Sequence, residues 1–232
     1  MTRTPQTRKQ SELKMRALVI HQRLMSHYGI PEWRDPLPPI DELVSTVLSQ
    51  NTNDSNRDRA FINLRAHFSK WETVRDAPSE QVIEAIRPAG LANQKGPRIQ
   101  AILRLITEEQ GELSLEFLRT MPPDDVYGWL VSLNGVGPKT ATIVMQFSLG
   151  MPAFPVDTHI YRVSGRLGIR PAEINAEQAH PHLAALFPED EYGPAHLNII
   201  RLGREICQAR RTNCPDCPLN DLCEYANESG IS

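Results

Sequence analysis

Leu133-Asn134-Gly135-Val136-Gly137-Pro138-Lys139-Thr140-Ala141 is the stretch on which the reading of this chain turns. An apolar stripe at Val126, Trp129, Leu130 and Leu133 runs into it at helical spacing and stops there. The two glycines that follow permit a tight turn with positive φ. Pro138 suits the first position of a new helix, and Ala141, Val144, Met145 and Leu149 continue an apolar face beyond it. The pattern is a helix–hairpin–helix. Its turn presents backbone N–H groups at a helix N-terminus, a seat for phosphate, so Gly135, Val136 and Gly137 are candidate DNA contacts. On spacing alone a plain helical connection is the alternative. The G-V-G-P-K string is more specific than a generic G-x-G and favours the DNA reading.

Lys139 falls in the first turn of the second helix, where a cation opposes the positive end of the helix dipole. A free amine there is a nucleophile able to form a Schiff base with a sugar carbon; in isolation, a phosphate-contacting lysine is the simpler reading. Asp157, 18 residues further on in Phe154-Pro155-Val156-Asp157-Thr158-His159, precedes the stripe Ile160, Val163 and Leu167. It is placed to cap that helix. The sharper alternative is a carboxylate that stabilises positive charge on a sugar.

Further stripes recur at Ile40/Leu43/Val44/Val47/Leu48, Ala60/Phe61/Leu64/Phe68, Ile99/Ile102/Leu103/Ile106 and Ala195/Ile199/Leu202/Ile206. Pro and Gly punctuate them, and no alternating strand of five residues or more stands out. The expectation is an all-α protein of about ten helices. Forty per cent of the 232 residues are apolar, enough to bury a real core. No apolar run is long enough to span a bilayer or to read as a signal peptide, which points to the cytoplasm, in association with the nucleoid. The net charge of −3 argues mildly against a nucleic-acid binder, but local potential matters more than the sum. Basic residues gather in the first 23 positions (Arg3, Arg8, Lys9, Lys14, Arg16, Arg23), as a solvated tail or as phosphate contacts.

The four cysteines, Cys207, Cys214, Cys217 and Cys223, share one 17-residue stretch with the spacing C-x6-C-x2-C-x5-C. Clustering of this kind indicates a metal site rather than a disulfide scaffold. Four thiolates suit a tetrahedral zinc ion or a four-iron cluster, with zinc slightly ahead on the ligands alone. Arg210 and Arg211 lie in the loop between the first two cysteines, so a metal that pins this loop could press a basic tip onto phosphate.

Taken together, the hairpin with Lys139, the V-D-T-H string with Asp157 and the cysteine cluster resemble the endonuclease III family, over about residues 40–226. The resemblance implies a two-domain helix–hairpin–helix DNA glycosylase fold. A six-helix barrel (38–151) carries the hairpin; residues 1–37 and 152–232 form a second domain with a [4Fe–4S] cluster. It implies a monomeric, bifunctional glycosylase/AP lyase that removes oxidised pyrimidines from double-stranded DNA and also acts at abasic sites. DNA would lie across the groove between the domains, with the damaged base flipped out. Lys139 would attack C1′ with help from Asp157, and β-elimination would nick the strand. Two further segments match. Leu48–Asp54 resembles the segment that fills the gap left by the flipped base, through Gln50 or Asn51. Leu91–Lys95 resembles the loop that wedges an apolar side chain into the duplex, with Leu91 the candidate wedge. Read without the family, the first is a polar helix end and the second an ordinary turn. His159 reads as structural.

The chain departs from the family at Asn51, where Gln is usual, at Asn134 for Pro and at Pro138 for Arg. These changes bear on opposite-base preference and affinity rather than on the chemistry. Mismatch-specific or other monofunctional glycosylases of the superfamily are rivals. Adenine–mismatch enzymes need a glutamate before the gap-filling segment, and Leu43–Asn53 contains no acidic residue. A non-catalytic DNA-binding module with a zinc site is the rival from another class.

Overall fold

The protein is described here from a computed structural model over residues 5–32 and 35–230, with side chains in the first segment from residue 9. Its helices, in chain order, are α1 (Pro5–Tyr28), α2 (Pro39–Ser49), α3 (Asp54–His67), α4 (Trp71–Asp76), α5 (Ser79–Ala85) and α6 (Ala92–Gln110). They continue as α7 (Pro123–Ser132), α8 (Pro138–Val144), α9 (Thr158–Arg166), α10 (Ala176–Ala184), α11 (Tyr192–Glu205) and α12 (Glu224–Glu228). Among the described residues this makes twelve α-helices rather than about ten. The surplus is in pieces such as α4 and α12, six and five residues long, too short to carry a stripe. Extended pairing among those residues is limited to one isolated bridge, Cys207 to Thr212. None of the described helices is long and apolar enough to cross a membrane.

The chain divides into two compact units, Pro36–Met151 and a discontinuous one of Met1–Asp35 with Pro152–Ser232. In the first, the stripes become the core: Leu43, Val47 and Leu48 of α2, Ala60 and Leu64 of α3, Leu103 and Ile106 of α6, and Val126 and Leu130 of α7 are fully buried. Trp129 stays half-buried because its indole N–H donates to Glu109 at the surface (3.0 Å). A buried polar group organises the short helices. The Gln100 side chain, with no exposure, donates to the Val74 and Ala77 carbonyls (2.9 and 2.8 Å) and accepts from the Ser79 hydroxyl (2.6 Å). One amide therefore satisfies the end of α4 and the start of α5, groups that would be costly to bury unpaired. After Val144 the helix loosens into a π-turn, Met145–Leu149, closed by Gly150 at φ +67°. The Arg119 guanidinium donates to the Ser148 and Leu149 carbonyls there (3.1 Å each).

The second unit packs α1 with α9, α10 and α11. Ala17, Ile20 and Leu24 of α1 are fully buried beside Ile160, Val163, Ala195 and Ile199, and Phe154 stacks on Phe187 (5.1 Å, 4° between planes). α10 begins with a capping box between Asn175 and Gln178. The basic N-terminal segment is thus not a loose tail from Pro5 onward, but a helix docked on this core. Arg16 donates to the Leu167 and Leu222 carbonyls (2.9 and 2.5 Å), and Arg23 pairs with Asp221 (2.5 Å). The Leu13/Ala17/Ile20/Leu24 spacing was the available signal. Lys9 and Lys14 are exposed; Arg3 and the Arg8 side chain lie outside the described residues.

Candidate catalytic and DNA-contacting site

α7 ends with Leu133 as its C-cap, the chain turns through Gly135 at φ +87°, and α8 starts at Pro138. Only one of the two hairpin glycines uses the left-handed region. Gly137 is extended (φ −99°, ψ 179°) and a Cβ there would meet open space. At Gly135 an added Cβ would collide with the Arg98 side chain. The Val136 side chain is buried and its N–H donates to the Leu133 carbonyl (2.9 Å), so Val136 builds the turn. The Gly137 and Lys139 N–H groups have no acceptor among the described residues, as the start of a helix requires. Gly135→Ala is therefore expected to destabilise the fold by about 1–3 kcal/mol through strain and displacement of Arg98. Gly137→Ala should stay within about 0.5 kcal/mol. Thermal unfolding of both variants checks this; equal shifts would contradict it.

Lys139 is exposed, in the first turn of α8, with no ion pair on its ammonium among the described residues. Asp157 belongs to the other unit and is half-buried. It caps α9, its Oδ1 accepting from the Ile160 N–H (2.7 Å). His159 sits in the first turn of that helix against α11: a Cβ at Gly203 would press on it at 3.1 Å, and Arg162 bonds both its ring (3.1 Å) and the Gly203 carbonyl (2.9 Å). Those contacts agree with the structural reading.

In the segment Leu48–Asp54 the two amides are placed differently. Gln50 is engaged at both ends, accepting from Arg98 (3.0 Å) and donating to the Gly135 carbonyl (3.0 Å). It braces the hairpin from α2 and α6. Asn51 is exposed, in the left-handed region at φ +53°, and Asn53 caps α3 through the Asn56 N–H. Leu91 has the same backbone twist, φ +50°, and is 49% exposed, one of four large apolar side chains left so open among the described residues. Asn51 and Leu91 are the described non-glycine residues with positive φ. Such conformations cost of order 1–3 kcal/mol each and concentrate at functional sites.

Cys207, Cys214, Cys217 and Cys223 are not in disulfides and line one cavity with Val163, Leu167 and Leu202 on its apolar wall. Burial pushes the Cys217 thiol up to about 11 and the Cys223 thiol upward too. Thiolates in such surroundings call for a compensating metal charge. Among the described residues no three His, Cys, Asp or Glu side chains converge on a single ion position. Four soft sulfur donors facing one shared space fit a multi-iron cluster. Arg166 supports the same loop, donating to Cys207 Sγ (3.2 Å) and to the Gln208 and Ala209 carbonyls (2.9 and 3.2 Å). Arg210 and Arg211, just beyond, are exposed and without ion pairs among the described residues.

A helical hairpin followed by a helix-borne lysine, a capping aspartate and a four-cysteine loop define a class of helix–hairpin–helix repair protein, and comparison with known proteins bears this out. Residues 44–189 match the model of the HhH-GPD superfamily base excision DNA repair proteins. The endonuclease III of Thermotoga maritima is 34% identical over 192 residues, covering 83% of this chain and 85% of that one. An Arabidopsis thaliana protein named provisionally as a DNA glycosylase is 40% identical over 190 residues. That match takes in 78% of this chain but 64% of the plant protein, so the chain spans a little under two thirds of that relative. A solved non-covalent endonuclease III–DNA complex superposes with a TM-score of 0.81 at 27% identity, over 94% of this chain and 99% of that one. The chain belongs to the endonuclease III family of the HhH-GPD superfamily, whose members are DNA glycosylases and AP lyases.

Proposed function

We propose that this protein is a bifunctional DNA glycosylase/AP lyase that removes oxidised pyrimidines from double-stranded DNA, working as a monomer on the nucleoid. The observation that carries the reading is Lys139: an exposed amine, directly behind a phosphate-seating hairpin, that spends its charge on no internal partner among the described residues. A structural lysine would be paired or buried. Lys139 Nζ attacks C1′ of the flipped nucleotide; the N–C1′ bond forms as the glycosidic bond breaks, and the base leaves with the bonding electrons. The Asp157 carboxylate stabilises positive charge on the sugar and assists proton transfer. The ring-opened Schiff base then loses its 2′ proton, and the electron pair expels the 3′ phosphate. Asn51 fills the gap left by the flipped base, Leu91 wedges the stack, and the Gly137 N–H, Arg210 and Arg211 hold phosphates.

Cys207, Cys214, Cys217 and Cys223 hold a [4Fe–4S] cluster, which supplies a cross-link for the loop carrying Arg210 and Arg211. Oxidative removal of the iron should leave helix content in Pro36–Met151 intact. The loop should become protease-sensitive, and DNA affinity should fall at low salt by about tenfold or more, in line with the loss of two phosphate contacts. Limited proteolysis and a salt titration of binding read these effects. A stoichiometric zinc content in protein purified without oxygen would overturn the cluster assignment.

The test of the activity is borohydride trapping with duplexes holding thymine glycol, an abasic site or a mismatch. A covalent adduct with the first two supports the proposal. Base release without an adduct would make the protein a monofunctional glycosylase, and neither product would leave a binding module.

A further inference from the structure

The first turn of α6 contains a buried cation that the proposed chemistry does not use. The Lys95 side chain is 2% exposed, and no carboxylate pairs with it among the described residues. Its Nζ donates to two carbonyls, Leu48 O and Ala89 O, at 2.8 Å each. Leu48 lies in the last turn of α2 and Ala89 in the short turn before α6, both backbone ends whose carbonyls lack helical partners. Those two carbonyls stand three residues before Asn51 and two before Leu91, the two residues that carry positive φ without being glycine. Lys95 also follows Leu91 by one helical turn, its N–H donating to the Leu91 carbonyl (3.0 Å). Next to it Gly96 lets α6 approach α5 so closely that a Cβ would meet Ile83 at 2.9 Å. The stem of the lysine therefore starts from a point with little freedom. Burial and the Arg98 charge both push the Lys95 ammonium down from its ordinary value, a cost that the two buried carbonyls and the negative end of α2 offset.

We propose that Lys95 is a positioning residue whose ammonium ties the gap-filling loop at Asn51 to the wedge loop at Leu91, so that both enter the duplex as one unit. This rests on the reading of those loops given above. A buried cation that served stability alone could sit at any helix end. Here it bridges the two segments that hold strained, exposed residues, and among the described residues the ammonium makes no other hydrogen bond. The bridge sets the separation between wedge and plug in advance, so binding to a lesion does not have to order each loop separately. The ligand feature read through this brace is an unpaired, extruded nucleotide position, as opposed to intact duplex.

The experiment measures binding of wild-type protein, Lys95→Gln, Asn51→Ala/Leu91→Ala and the triple variant. The probes are a duplex with a tetrahydrofuran abasic analogue and an undamaged duplex. Loss of discrimination in Asn51→Ala/Leu91→Ala confirms the loops; its retention there would remove that premise independently of Lys95. Folded Lys95→Gln is expected to lose about tenfold in discrimination with undamaged-duplex affinity unchanged, while adding Lys95→Gln to the double variant changes little further, because coupled sites are not additive. Unchanged discrimination in Lys95→Gln, or a full additional loss in the triple variant, would overturn the proposal. A second measurement needs no variant. In free wild-type protein, amide exchange at residues 49–53 and 89–92 should report one common opening, with protection equal within about threefold; independent opening of the two loops would also overturn it.

Discussion

Lys139→Gln should abolish the borohydride-trapped adduct and reduce single-turnover strand nicking at an abasic site by about 10⁴-fold or more, the scale seen when a nucleophile that acts with its partners is removed. The substitution should leave the fold unchanged, because the side chain is exposed and holds no internal partner among the described residues. Affinity for undamaged duplex should fall by no more than one phosphate contact allows, so the salt slope shifts by about one. That contrast separates the two readings of this lysine. A residue that only grips phosphate would lose binding in proportion to activity. An undiminished adduct in the variant would place the nucleophile elsewhere.

At Asp157 structure and the proposed chemistry can be separated, because its cap is visible. The Ile160 N–H bonds to Oδ1, and α9 starts from it. Asparagine caps a helix as well as aspartate, so Asp157→Asn should move stability by less than about 0.5 kcal/mol, whereas Asp157→Ala should cost about 1 kcal/mol. Both should lose turnover by about 10² to 10⁴-fold if the carboxylate stabilises charge and moves a proton. Denaturant unfolding beside single-turnover base release gives both numbers for each variant. Full activity in Asp157→Asn would reduce this residue to a cap.

The parts of the molecule legible in the sequence are those written in local spacing. The hairpin was readable because helix stop, glycine turn and N1 proline follow one another within nine residues, and each of these signals acts on its immediate neighbours. The stripe Ile160/Val163/Leu167 gave α9, and Asp157 before it gave the cap. What could not be read depends on partners far apart in the chain. The engagement of Gln50 needs Arg98 and Gly135, 48 and 85 residues away, and the burial of Lys95 depends on a carbonyl 47 residues back. In the sequence, Lys95 looks like any helical surface lysine. At Gly135 and Gly137 composition marks where positive φ is permitted; the fold uses it at Gly135, where the Arg98 side chain leaves no room for a Cβ. For α1 the signal was present in its stripe, but the surrounding basic residues masked it.

The second unit is assembled from the two ends of the chain, and this has a bearing on biogenesis. Arg16 reaches the Leu222 carbonyl across 206 residues of sequence. During synthesis the contiguous unit Pro36–Met151 can acquire its native contacts while its neighbour has only α1, an amphipathic helix with Ala17, Ile20 and Leu24 uncovered until α9 and α11 emerge. A chain interrupted after Met151 but before α9 is made therefore carries one finished half and one sticky helix. Quality control would recognise it by that exposed face.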